Sequence, residues 1–323
     1  MTRVGLVGAG GMGNVHARQY AKMPDVELRF YELDPERAKA YAERWQVQPS
    51  ESVDGLMTWC DAVDVCLPTD LHLDLGLEAI AAGKALLMEK PAARTFEDAC
   101  GLAKAAEDAA VPYMPAQVVR FFPEFAKGHD LVESGAVGRA ATARTHRGGG
   151  APSGAGGWFM DHTRSGGILL DLAIHDFDWL RWTLGEVTAV NGRSVAAKKG
   201  IGPDYALTTF SFDSGAIAHV ESTWMDPSGF RTAFEVCGSE GMIEFDSRRA
   251  TTLRTSQPDK TASEAPLSST DDPYYRQIRA FIDTVQAGTT PPVSGWDGAM
   301  AVSIALAALE SAKTGQTVAP KRP

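Results

Sequence analysis

Up to about Gln117 the chain alternates short apolar runs with longer segments whose apolar positions recur at helical spacing. The short runs, near residues 3–8, 26–32, 62–67, 85–89 and 112–116, predict strands, and Pro35 to Trp45, Leu71 to Ala82 and Phe96 to Ala110 predict helices, the last two alanine-rich and amphipathic. Such alternation predicts right-handed βαβ units and a parallel sheet. Beyond Phe121 the pattern changes to period two, in Ala206 to Phe212, Ala216 to Thr223, Thr232 to Val236 and Met242 to Phe245, with Asp213-Ser214-Gly215 as a turn between two of these runs. That pattern predicts an open, largely antiparallel sheet with one face solvated or covered by a partner. A helix over Ile168 to Leu184 interrupts it, and two more are expected near Tyr274 to Gln286 and Gly298 to Lys313. Gly148 to Gly157, and Thr255 to Asp272 with its Ser, Thr, Pro and acidic residues, read as loops. There is no internal repeat, and the change of pattern divides the chain into domains 1–120 and 121–323.

The first strand, Val4-Gly5-Leu6-Val7, runs into Gly8-Ala9-Gly10-Gly11-Met12-Gly13 and a helical pattern carried by Val15, Ala17, Tyr20 and Met23. Glu32 stands at the end of the second strand. Strand, glycines, helix and acid in this order make a dinucleotide-binding fingerprint, and the first domain is expected to be a Rossmann domain in an α/β chain. Gly8 allows a sharp turn, Gly10 lets a pyrophosphate approach bare backbone, Gly13 lets helix pack on strand, and the helix start offers free N–H groups to an anion. A carboxylate at Glu32 accepts from ribose hydroxyls, whereas a 2′-phosphate would meet like charge, so NAD is expected and NADP is the alternative. Arg37 lies close enough to serve a phosphate, but Asp34-Pro35-Glu36-Arg37 reads first as a capped helix start.

Composition narrows the class. With 323 residues, 44% hydrophobic and 22% charged, the chain has the make-up of an ordinary two-domain globular enzyme. A net charge of −10 disfavours nucleic acid or an anionic membrane as partner. Ala299 to Leu309, the longest apolar stretch, is broken by Ser303 and too short to span a bilayer. The glycine turn interrupts any signal-peptide core, so a cytoplasmic protein is expected. Cys60, Cys66, Cys100 and Cys237 form no CxxC pair and read as buried free thiols, which argues against a zinc site.

In open parallel sheets ligands bind where strands end, which puts Pro68-Thr69-Asp70-Leu71-His72 and Met88-Glu89-Lys90-Pro91 on the same edge as the glycine turn. Proline holds its predecessor extended, so Lys90 is expected to project rigidly, where it can stabilise alkoxide-like charge as hydride leaves carbon. Asp171 and His175, four apart on one expected helix, share a face. The histidine can take a hydroxyl proton, and the carboxylate can hold the substrate and favour the imidazolium. A helix-start aspartate beside a partly buried histidine is the structural alternative. Asp176 and Asp178 invite a metal reading with Asp171 and His175, but neighbouring helix positions diverge and no metal is expected. Trp158, Asp161 and His162 follow the glycine-rich loop, and Arg120 stands at the domain junction. An aromatic face with polar neighbours suits a carbohydrate. Equally, Trp158 reads as a core anchor, Arg120 as an interdomain ion pair and His162 as a solvated loop residue.

With these segments in place the chain resembles the Gfo/Idh/MocA oxidoreductases, the family of glucose-fructose oxidoreductase and inositol dehydrogenase, over essentially its full length. The resemblance is carried by Gly8 to Gly13, Glu32 to Arg37, Pro68 to His72, Glu89-Lys90-Pro91 and Gly166 to Asp176. It implies an NAD-dependent oxidoreductase acting on a secondary alcohol of a cyclic polyol or sugar. By that resemblance Lys90, Asp171 and His175 would be catalytic. Gly8, Gly10, Gly11, Met12, Gly13, Glu32, Pro68, Thr69, His72, Glu89, Lys90 and Gln117 would bind cofactor, with Thr69 and His72 beside the nicotinamide half. Lys90, Asp171 and His175 would also bind substrate, joined, on the residues' own character, by Arg120 and Trp158. It also implies a homodimer or homotetramer formed through the second sheet. Two features depart from the family pattern: Glu32 stands where many NAD-linked members carry aspartate, and Gly148 to Gly157 is unusually rich in glycine. Alternatives are an NADP-linked keto-sugar reductase and a noncatalytic cofactor-binding sensor, against which the joint presence of Lys90, Asp171 and His175 argues.

Overall fold

The computed structural model describes residues 1–152, 154–196, 204–249, 253–257, 260–264 and 272–323. Strands β1 (Thr2–Val7), β2 (Val26–Tyr31), β3 (Gln48–Pro49), β4 (Ala62–Val65), β5 (Ala85–Met88) and β6 (Tyr113–Pro115) form one parallel sheet in the order β3-β2-β1-β4-β5-β6. This is the order of a doubly wound dinucleotide-binding sheet. Helices α1 (Gly11–Tyr20), α2 (Pro35–Trp45), α3 (Val53–Trp59), α4 (His72–Ala81) and α5 (Phe96–Asp108) connect its strands. The strands were legible as apolar runs because helices cover both faces. The two-residue β3 and the single-sided α3 were not, since neither has an apolar run of its own.

The second half runs α6 (Pro123–Glu133), β7 (Ala140–Gly148), α7 (His162–Ser165), α8 (Gly167–Asp171), α9 (Ile174–Leu184), then β8 (Val187–Val195), β9 (Tyr205–Phe212), β10 (Ile217–Thr223), β11 (Arg231–Gly238), β12 (Met242–Asp246), β13 (Leu253–Gln257) and β14 (Lys260–Glu264), and ends with α10 (Pro273–Ala287) and α11 (Gly295–Thr314). Its eight strands lie in the order β14-β13-β12-β11-β7-β10-β9-β8, antiparallel except for the parallel pair β7 and β10. In β9, Ala206, Thr208, Phe210 and Phe212 point inward while Leu207, Thr209 and Ser211 face out, the expected half-covered alternation.

Two expectations are corrected, and one strand was missed. The helix over Ile168 to Leu184 is two helices, α8 and α9, joined at Leu172 and Ala173, with no glycine or proline to announce the break. Thr255 to Asp272 is not all loop: β13 and β14 pair as a hairpin whose β13 continues the ladder of β12, while 258–259 and 265–271 lie outside the described residues. β8 was hidden because its register shifts between Val187 and Ala189, which breaks the period of two.

Packing also crosses the division at residue 120. Ile278, Phe281 and Ile282 of α10 join Val4, Leu6, Ala17 and Phe30 in one core, and α11 packs its Ala299–Ala308 face into the core that holds Leu102 of α5 and Trp179 of α9. The two C-terminal helices therefore clamp the sheets together. A Ser294–Asp297 capping box starts α11.

Candidate active site

The registers Val7↔Val65, Val65↔Met88 and Met88↔Pro115 align four strand ends, so Gly8, Cys66 to Thr69, Glu89-Lys90 and Gln117 leave the sheet along one edge. Gly8 turns with φ +102°, and a Cβ on Gly13 would fall on the Gly8 carbonyl oxygen, so only glycine lets α1 start this close to β1. Around Gly10 and Gly11 the space is open, and Gly10 caps α1 with no side chain of its own, leaving the first N–H groups of the helix to an anion. Met12 is half-buried behind them.

Glu32 is folded back toward this turn. Its Oε2 accepts from the Ala9 N–H at 2.9 Å, its Oε1 accepts from the Asp34 N–H at 3.0 Å, and Arg37 Nη1 lies 3.3 Å from Oε1. Asp34 caps α2 by accepting from the N–H groups of Glu36 and Arg37, with Pro35 in the first turn, as its sequence predicts. Farther along the edge, the Thr69 hydroxyl and both polar atoms of the Gln117 amide are buried without hydrogen-bond partners, beside the half-buried Pro68. Buried groups of this kind are satisfied by something, and a dinucleotide laid along the strand ends supplies donors and acceptors there. The glycine turn, the open helix start and these orphaned groups fit NAD.

His72 corrects its expectation. Its ring is wholly buried, with Nδ1 2.8 Å from the Pro91 carbonyl and Nε2 2.9 Å from the Leu67 carbonyl. Burial lowers its pKa, so the ring donates to only one of these carbonyls at a time, and it lies enclosed between the two loops with neither nitrogen exposed.

Lys90 enters the cleft from the end of β5. Its Nζ donates to the Asp171 carboxylate and to the Asp171 carbonyl, each at 2.8 Å. Asp171 is the last residue of α8, and His175 follows on the first turn of α9. The glycines that open α8 make this approach possible: Gly166 has φ +81°, and a Cβ there would collide with Arg94 and Leu170. Burial first, then the cations of Lys90 and Arg147, hold the His175 pKa well below 6.5, and its Nδ1 is buried without a partner. The expectation that Asp171 would favour the imidazolium is corrected here, because that carboxylate is engaged by Lys90 and the ring is kept neutral.

The remaining acids separate. Asp176 is buried against Arg147 (2.6 Å) and Asp178 against Arg120 (2.7 and 2.6 Å). Three carboxylates facing three different cations share no focus for a metal ion. Arg120 is buried, reaches Asp297 at 3.4 Å as well, and lies over the Trp182 ring, so its guanidinium is committed to a structural ion pair rather than to a substrate. Trp158 is no core anchor: it is half-buried in the turn Ala155–Met160, stacked on Phe159 at 4.0 Å. Asp161 caps α7, and His162 is half-buried, its carbonyl accepting from Arg94 at 3.2 Å. Arg164 reaches Asp70 at 2.9 Å, which ties this segment to the parallel domain.

Comparison with known proteins agrees with this geometry. A family model described as "Oxidoreductase family, NAD-binding Rossmann fold" matches residues 2–117, and one described as "GFO/IDH/MocA C-terminal domain" matches residues 125–244. The chain belongs to the Gfo/Idh/MocA oxidoreductase family. Its first domain is an NAD-binding Rossmann domain. The chain is 30% identical to myo-inositol 2-dehydrogenase of Thermotoga maritima, over 98% of each chain. It is 28% identical to scyllo-inositol 2-dehydrogenase (NAD(+)) of Bacillus subtilis, over 98% of this chain and 95% of that one. Among solved structures, levoglucosan dehydrogenase in complex with NADH superposes with a TM-score of 0.91 at 26% identity, covering 100% of both chains.

Two charged residues of this oxidoreductase escaped the sequence reading. Arg147 sits at an alternation position of β7 that reads as one more strand residue. His16 lies between the apolar positions by which α1 was recognised. Among the described residues no helix is long and apolar enough to cross a membrane.

Proposed function

We propose that the protein is an NAD-dependent dehydrogenase that oxidises a secondary alcohol of a cyclic polyol or sugar, with Lys90, Asp171 and His175 acting on the hydroxyl. The observation that carries this reading is the Lys90 ammonium held by Asp171 at the strand edge where the glycine turn also ends. Bound nicotinamide supplies the hydride acceptor. Lys90 offers a fixed positive charge to the oxygen that becomes alkoxide-like, and Asp171 keeps that charge aimed by occupying two of its three protons. His175, neutral and with an unpartnered ring nitrogen, accepts the hydroxyl proton. The polyol or sugar class is supported by the two inositol dehydrogenases and the levoglucosan dehydrogenase that the chain resembles, and Trp158 is the candidate surface for a sugar's C–H face.

A cytoplasmic setting fits the free cysteines. A homodimer or homotetramer fits the outward face of the second sheet, where Leu207 and Ile217 are exposed among polar neighbours. Purified protein assayed with NAD, and separately with NADP, against a broad panel of polyols and sugars tests the reading. Reduced-nicotinamide absorbance that rises with NAD supports it, whereas tight NAD binding without turnover on any panel member favours a cofactor sensor.

A further inference from the structure

Beneath the glycine turn lies a buried polar cluster that the proposed chemistry leaves unused. His16 stands on α1 one turn past Gly13 with no exposed surface. Its Nδ1 is 2.8 Å from Asp64 Oδ2 on β4, and its Nε2 is 3.2 Å from Glu89 Oε1 at the end of β5. The second contact is a charge contact not aligned as a hydrogen bond, and neither of its atoms has another hydrogen-bond partner. The Tyr20 hydroxyl donates to the same Asp64 oxygen at 2.9 Å, and Cys66 Sγ lies 3.4 Å from Nδ1. The Tyr274 ring stands 6.4 Å from the His16 ring. The other Glu89 oxygen accepts from the main-chain N–H of Lys90 at 3.2 Å. A continuous path thus runs from β4 through His16 and Glu89 to the backbone of Lys90.

We propose that His16 is a positioning residue: by spanning Asp64 and Glu89 it locks the strand end that carries Lys90 to the helix opened by the glycine turn. The role rests on the dehydrogenase reading of Lys90 given above. Burial is the largest influence on His16 and disfavours a charge there, but Asp64 and Cys66 together outweigh it, and the pKa is raised well above 6.5. A raised pKa favours the protonated ring, which hydrogen-bonds Asp64 through Nδ1 and sets its positive charge against Glu89 through Nε2. A side chain needed only to fill space here would avoid the cost of burying polar groups against one another. What the cluster provides is a connection among α1, β4 and β5 at the point where cofactor and Lys90 must be in register. Without it, the buried Asp64 and Glu89 side chains lose the group that links them, and Glu89 loses the contact that aims it at the Lys90 amide.

The test compares His16→Gln, the double variant His16→Gln with Asp64→Asn, and Lys90→Ala in full-length protein, using steady-state kinetics on the best substrate of the panel and NADH fluorescence titration. A glutamine amide can donate to Glu89 but turns its carbonyl toward Asp64. Asparagine at 64 supplies the missing donor and rebuilds a neutral bridge. The single variant is expected to lose about 10- to 100-fold in kcat while NADH affinity stays within about threefold, and the double variant to regain most of the loss. A residue that only fills space predicts losses that add. The bridge is overturned by wild-type kcat in folded His16→Gln, or by a double variant no faster than the single. Should the single variant not fold, the double variant decides alone: turnover within about threefold of wild type supports the bridge, and a larger loss overturns it. Wild-type turnover in Lys90→Ala sinks the dehydrogenase reading itself, whereas loss there with none in His16→Gln sinks only the bridge.

Discussion

Lys90 and Asp171 are 81 residues apart in the chain, yet the lysine ammonium donates to both the carboxylate and the carbonyl of Asp171 at 2.8 Å. The pair joins the end of β5 to the end of α8 across the cleft between the two sheets. With side-chain exposures of 14% and 8% it is shielded enough for its charge to act strongly on an adjacent oxygen.

Replacing Lys90 by alanine is expected to lower kcat by about 10²- to 10³-fold, the typical cost of removing one electrostatic donor. NADH affinity, read by fluorescence titration, should stay nearly unchanged. Turnover within a few-fold of wild type removes Lys90 from the mechanism.

Glu32→Ala removes the carboxylate that faces the glycine turn and leaves Arg37 with Asp34 as its remaining acidic partner. NAD should bind more weakly and the preference for NAD over NADP should relax, both read from kcat/KM with each cofactor. An unchanged preference shows that Glu32 is not the ribose ligand.

His175 should stay neutral down to a pH below 6.5, because burial, Lys90 and Arg147 all lower its pKa. The acidic limb of kcat/KM for alcohol oxidation is therefore expected below that pH, and histidine proton resonances should show His175 titrating there. In Lys90→Ala one of the two cations is gone, so the His175 resonance should titrate closer to 6.5. A His175 that titrates above 6.5 in the wild type contradicts the neutral-base assignment.

Arg120→Met leaves Asp178 as a buried carboxylate without its bidentate partner. Chemical denaturation should show a loss of about 3–5 kcal/mol, while the substrate KM shifts by less than about twofold. A raised KM at undiminished stability returns Arg120 to the substrate site.

What the sequence by itself determined was everything with a local cause. The glycine turn, the acid after β2, the apolar strands of a sheet covered on both faces and the capped start of α2 each follow from backbone freedom or periodicity within a few residues, and they specified the dinucleotide edge and Lys90 upon it. Only the tertiary structure decided what charged groups do when brought together from distant segments. It turned Arg120 and Asp178 into a structural pair, enclosed His72 between two carbonyls, broke the helix between Asp171 and His175, and sank His16 between Asp64 and Glu89. An ionisable side chain reads the same in sequence whether it meets solvent, substrate or an opposite charge, and burial and partner, which set its protonation and reach, exist only once the chain is folded.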